Sequence, residues 1–157
     1  GIDSSSLTHT QTFPYRLEAG TLNLLGILGL SRALDYVLAQ GQETIHQREM
    51  ELLSRLRNGL AVLDGVSLYG AEDLSNHVGL LTATVNGIIS QDVCTILDAD
   101  FGIAVRAGLH CAPLVHTDIG TQPEGGVRFS LGPSTSQADI DTAIDAMAAI
   151  AGAQKRK

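Results

Sequence analysis

The sequence predicts an α/β domain of the two-layer α+β kind, a small sheet covered by helices, and three observations predict it. Two leucine-rich stretches ahead of Asp64 repeat their apolar residues at three and four positions, the helical spacing. Four short runs of β-forming and small residues follow, set apart by turn residues. The last stretch before the C-terminus returns to helical spacing. With 157 residues, 44% of them apolar, the chain is long enough to bury a substantial core as one domain.

Taken in order, residues 1–14 are rich in Ser and Thr and lack periodicity, which predicts an irregular lead-in. A compact polar segment, Tyr15 to Thr21, precedes a helix from about Leu22 to Ala39, whose Leu24, Ile27, Leu28, Leu34 and Leu38 share a face. Gly26 and Gly29 inside it suggest close packing against a neighbour, and Gly41 is its C-cap. A second helix runs from about Glu43 to Leu63, with Leu52, Leu53, Leu56, Leu60 and Leu63 on one side and Arg48, Glu49, Glu51, Arg55 and Arg57 mostly on the other.

Asp64-Gly65 turns the chain into a strand from Val66 to Tyr69, and His77 to Val85 reads as the next. Ser90 is the expected N-cap of a short helix carrying Val93, Ile96 and Leu97. Ile103 to Val105 is the expected third strand, followed by a long loop and a fourth strand from Gly126 to Leu131. Ser136 with Asp139 three residues on forms a capping box for a final helix with Ile140, Ile144, Met147 and Ile150 inward. The predicted order is ααββαββα.

The net charge of -7 argues against a nucleic-acid or membrane surface, since neither favours an anionic partner. Apolar stretches are broken by Gly, Ser, Asp or Arg, so neither a transmembrane helix nor a signal peptide is read. Two cysteines without a framework of spacings point to free thiols in a reducing compartment, the cytoplasm. The chain starts at Gly1 without a methionine, so it is expected to be part of a longer polypeptide. The only lysines are Lys155 and Lys157.

Chemistry concentrates in Val105-Arg106-Ala107-Gly108-Leu109-His110-Cys111-Ala112-Pro113. A cysteine on a turn, between an arginine and a histidine, is where a thiolate would be stabilised. The alternative is a buried, inert cysteine, the reading given to Cys94 among its apolar neighbours. His110, Cys111 and His116 supply three candidate metal ligands without a fourth nearby, so no metal site is assigned. A papain-like nucleophile would need His77 or His9 as partner, and nothing local supports either. Arg128 lies in an otherwise apolar strand, where a charge must meet a carboxylate or bind an anion. Gly20-Thr21 at a helix start reads either as an N-cap or as a donor pair for a phosphate.

Three segments together resemble a known family. Arg16-Leu17-Glu18-Ala19-Gly20-Thr21-Leu22-Asn23 is similar to the R-[FL]-E-A-G-T-x-N signature of the class V aminotransferases, in their cysteine desulfurase and selenocysteine lyase branch. Arg106 to Ala112 resembles that branch's R-x-G-x-H-C-A loop, and Val127-Arg128-Phe129-Ser130 with Asp139-Ile140-Asp141 resembles its V-R-x-S…[ED]-D-I-D ending. Pro133-Ser134-Thr135-Ser136 stands where the family usually carries a Tyr-Asn-Thr turn, and Leu109 replaces a histidine of some members.

The resemblance implies a pyridoxal 5'-phosphate enzyme that takes sulfur from L-cysteine or a related amino acid, leaving alanine and a persulfide on Cys111. By position, Arg128 would bind the substrate carboxylate, Arg106 and His110 would shape the cysteine loop, and Gly20 and Thr21 would reach a cofactor phosphate across a homodimer. It also implies the fold of the C-terminal small domain of fold-type I transferases over residues 23–157, with residues 1–22 connecting from a large domain that holds the cofactor lysine. On that reading this chain alone neither binds the cofactor covalently nor desulfurates cysteine, and a sulfur-acceptor protein is an expected partner. Cut from that domain, the face from Leu24 to Leu30 is expected to be exposed and to self-associate. Two other readings stay open: a class V relative acting on another amino acid, and a free-standing sulfur-carrier module.

Overall fold

The computed structural model describes residues 7–18, 20–70 and 73–154, with nothing described for the side chain of residue 154. The start of the lead-in, Ala19 of the first motif, and Lys155 and Lys157 lie outside those residues. The chain forms two compact units, Gly1–Gln42 and Glu43–Lys157.

In the first unit a 3-10 turn, Tyr15–Leu17, is followed by helix α1, Leu24–Gln40. The helix begins two residues later than the expected Leu22 because Asn23 caps it, its Oδ1 accepting the Gly26 N–H at 3.0 Å. Thr21 is therefore not the N-cap. Gly26 is explained by this cap: a Cβ there would lie 2.9 Å from Asn23 Cγ, whereas one on Gly29 would meet nothing within 4 Å. The expectation that both glycines pack against a neighbour is corrected accordingly. Gly41, at φ 81°, donates its N–H to Val37 O and ends the helix as expected. None of the residues of α1 is buried, and Leu24, Leu25, Ile27, Leu28 and Leu30 are all exposed.

The second unit is an antiparallel sheet of four strands with helices packed on it. Helix α2 is Gln42–Ala61, β1 is Val66–Tyr69 and β2 is Leu80–Val85. Helix α3 spans Ser90–Phe101, β3 Arg106–Gly108, α4 Pro113–Asp118, β4 Gly126–Ser130 and α5 Gln137–Gln154. The strand order is β1-β2-β4-β3, every neighbour antiparallel. Leu81, Ala83 and Val85 of β2 and Val127 and Phe129 of β4 alternate inward, the period-two pattern of a sheet covered on one face. They join one core with Leu52, Leu53, Leu56 and Leu60 of α2, Val93 and Leu97 of α3, and Ile140, Met147 and Ile150 of α5. Ile144 is partly buried against the same core.

The capping box of α5 forms as read: the Ser136 N–H meets Asp139 Oδ2 at 2.8 Å, and the Asp139 N–H meets Ser136 Oγ at 3.2 Å. The Ser136 N–H and the Ser136 hydroxyl, both donating to Asp139 Oδ2, hold the Asp139 carboxyl below the usual carboxylate range. Arg55 of α2 grips Asp141 of α5 with two hydrogen bonds, at 2.6 and 2.9 Å.

Four expectations are corrected. The strand read over His77–Val85 begins at Leu80, because the Leu74 carbonyl takes the His77 N–H in a turn and the ladder with β4 starts only there. Ser90 is the first residue of α3 and not its cap. Its hydroxyl donates to the Glu124 carbonyl at 2.5 Å, and Ile89 holds the N-cap place without a side-chain bond. The third strand is Arg106–Gly108, not Ile103–Val105: pairing with Gly126–Arg128 decides where it forms, while Ile103 and Val105 pack partly against the core. The expected long loop contains α4, which Pro113 starts from a first-turn position where its missing N–H costs nothing.

Candidate active site

On the sheet face opposite the core, register lines up Tyr69, Thr82, Arg128 and Arg106 in one row across all four strands. Arg106 and Arg128 are direct cross-strand partners. Like charges set opposite each other oppose pairing, so the ladder carries an electrostatic cost here. Arg128 is half-buried, its Nε is buried without a hydrogen-bond partner, and among the described residues no carboxylate pairs with it. Of the two alternatives the sequence left open for Arg128, the internal ion pair is not the one seen.

Beyond β3 the chain enters two successive left-handed residues, His110 at φ 53° and Cys111 at φ 61°. Such a backbone is uncommon for any side chain but glycine, and two in a row hold the loop in a tight turn. The Ala112 N–H closes it on the Leu109 carbonyl at 2.8 Å. The turn lifts Cys111 to the surface, and an Arg106 guanidinium N–H points at its sulfur from 3.6 Å. A fixed cation against the sulfur favours negative charge developing there. Cys94 is half-buried instead, its thiol donating to the Val105 carbonyl at 3.5 Å.

His110 Nε2 lies 3.0 Å from the Arg106 carbonyl oxygen. A carbonyl only accepts, so Nε2 carries the hydrogen and the neutral ring keeps its lone pair on Nδ1. Burial pushes the imidazole below its ordinary value; the Arg106 carbonyl works against that, and the charges of Arg128, His116 and Arg106 add to it. The ring is therefore neutral at neutral pH.

The structure thus brings Arg106, His110, Cys111 and Arg128 to the β3–β4 end of the sheet. Gly20 and Thr21 belong to the first unit; Gly20 stands at φ 83° with open space about it, and the exposed Thr21 hydroxyl bonds to none of the described residues. Among the described residues no three of His, Cys, Asp and Glu are arranged to hold a metal ion, and no helix is long and apolar enough to cross a membrane. Sequence reasoning passed over Thr121 and Gly125. Thr121 is buried 2.6 Å from His116 Nδ1, and a Cβ on Gly125 would overlap the Gly108 carbonyl group. Only the turn chemistry of the Gly120-Thr121 and Gly125-Gly126 steps hints at either.

The chain matches the aminotransferase class-V family over residues 2–143. It belongs to that family. A probable cysteine desulfurase of Methanothermobacter thermautotrophicus is 34% identical over 143 residues, 90% of this chain and 35% of the relative. Cysteine desulfurase CsdA of Escherichia coli is 33% identical, over 88% of this chain and 33% of the relative. The apo structure of a cysteine desulfurase from Thermococcus onnurineus superimposes with a TM-score of 0.82 at 35% identity, over 89% of this chain and 34% of that one. This class-V chain therefore spans about a third of the length of the curated relatives it matches. The fold of this chain, a small sheet covered by helices, is the one the sequence predicted, and the cysteine desulfurase structures share it over the matched third.

Proposed function

We propose that this chain is the nucleophile-bearing part of a pyridoxal phosphate-dependent cysteine desulfurase, residues 23–157 forming its C-terminal small domain. One observation carries the reading: two arginines paired across β3 and β4, one against the sulfur of exposed Cys111, the other with a buried Nε that has no hydrogen-bond partner among the described residues. A guanidinium so placed suits the α-carboxylate of an amino acid. Arg128 holds that carboxylate, and Cys111 attacks the substrate sulfur. The new S–S bond forms as the substrate's Cβ–S bond breaks, and protonation of the remaining carbon framework gives alanine. Pyridoxal phosphate, when bound, supplies the sink for the electron pair of that cleavage.

The Thr21 hydroxyl, unbonded among the described residues, and the open backbone at Gly20 fit a phosphate group, and we assign them to the cofactor phosphate, offered across a homodimer. The Schiff-base lysine comes from outside these 157 residues, whose only lysines are Lys155 and Lys157. The chain alone is accordingly inactive, and the assembled enzyme passes its persulfide to an acceptor protein in the cytoplasm.

The test is Cys111→Ala in the assembled enzyme, with alanine release and protein-bound persulfide followed from L-cysteine. Loss of both, with cofactor absorbance unchanged, is expected. Full alanine release by the variant would transfer the chain to the relatives in which this cysteine does not react.

A further inference from the structure

The nucleophile's turn is built on a buried histidine that the reaction does not consume. His116 is 3% exposed, and its Nδ1 lies 2.6 Å from the Oγ1 of Thr121, itself 8% exposed. The same two residues are joined through the main chain, the Thr121 N–H donating to the His116 carbonyl at 2.9 Å. In the other direction the His116 N–H donates to the Ala112 carbonyl at 3.2 Å, the residue directly after Cys111. The His116 ring also lies against the His110 ring, centroids 5.4 Å apart and planes at 47°. One residue therefore meets the base of the cysteine turn through its main chain and the ring that precedes the nucleophile through its side chain, whose rotation is fixed by one hydroxyl.

Nothing in the core requires this polar pair. A buried imidazole and hydroxyl are costly unless they satisfy each other, and here each is the other's partner. Their placement under a turn of two left-handed residues supplies the over-determination that such a backbone needs to persist.

We propose that His116, locked by Thr121, is a positioning residue: it holds the His110 ring with its Nε2–H on the Arg106 carbonyl and keeps Cys111 against the Arg106 guanidinium. This rests on the reading of Cys111 as the nucleophile, and it concerns geometry that exists without cofactor or substrate. The charged and titratable groups acting on His110 are Arg106 from β3, Arg128 from β4 and His116 from α4.

The experiment uses the 157-residue chain with Cys94→Ser, so that Cys111 is the one thiol. Long-range proton–nitrogen NMR reads the His110 tautomer and its titration, and iodoacetamide reads Cys111. Thr121→Val removes the hydroxyl at constant shape, and His116→Phe keeps a ring against His110 without the anchor. In both, the His110 signal should change from one tautomer to an average and titrate at higher pH, and alkylation at neutral pH should slow about threefold as the sulfur leaves its cation. Thr121→Ser should restore both readouts. A general loss of stability would leave the His110 signal of the folded molecules where it was, so melting temperature alone does not count. An unchanged tautomer and alkylation rate in either folded variant overturns the proposal. Neither readout involves desulfuration, so a Cys111→Ala enzyme that still releases alanine would defeat the functional reading and leave this one standing.

Discussion

Gly125→Ala is the substitution that most directly tests how the cysteine loop is held. Gly125 sits at φ 68°, and a Cβ built there overlaps the carbonyl carbon and oxygen of Gly108 and lies 2.8 Å from its Cα. The left-handed conformation alone costs an alanine about 1–2 kcal/mol. The overlap is with backbone, so no rotamer relieves it, and β3 must draw back from β4 along its three paired residues, Arg106 to Gly108. Losing those hydrogen bonds adds about 2–3 kcal/mol. The total is about 3–5 kcal/mol, which for a chain of this size lowers the melting temperature by roughly 10–15 °C. Gly120→Ala is the control, since Gly120 has φ 72° but nothing within 4 Å of a Cβ, and only the conformational cost of about 1–2 kcal/mol applies. The assay is thermal unfolding by circular dichroism, with iodoacetamide alkylation of Cys111 recorded below the transition. Equal losses in the two variants would refute the packing argument, as would an unaltered alkylation rate in Gly125→Ala.

Leu56 is fully buried between the sheet and α5, and Leu56→Ala should cost about 3 kcal/mol in urea unfolding with an unchanged m-value. His110 gives a signed pH dependence. Its folded value is depressed by burial, so the unfolded chain binds the proton more readily, and stability falls as the pH drops below the ordinary imidazole value of about 6.5. His110→Gln should flatten that part of the profile; a slope surviving the substitution would assign it to another group.

Helices α1, α2, α3 and α5 and some of their caps were legible because their signals are local. Gly41, the Ser136–Asp139 box and the leucine spacing of α2 act within a few residues of themselves, and the structure uses each as read. The cysteine turn could be singled out in the sequence because Arg106, His110 and Cys111 are neighbours there. What local signals missed was decided across the sheet. The apolar run Ile103–Val105 looked like the strand, but a strand exists only where a partner ladder is available, and β4 offers its ladder to Arg106–Gly108. Ser90 looked like a cap, but a carbonyl 34 residues away takes its hydroxyl.

The sequence by itself determined the fold class and the family, because apolar spacing, turn chemistry and motif identity are properties of adjacent residues. Only the tertiary structure decided that Arg128 stands beside Arg106 with no carboxylate among the described residues to neutralise it, and that His116 and Thr121 lie beneath the Cys111 turn. Strand register sets the first of these and the packing of α4 the second, and both depend on contacts that no stretch of sequence contains on its own.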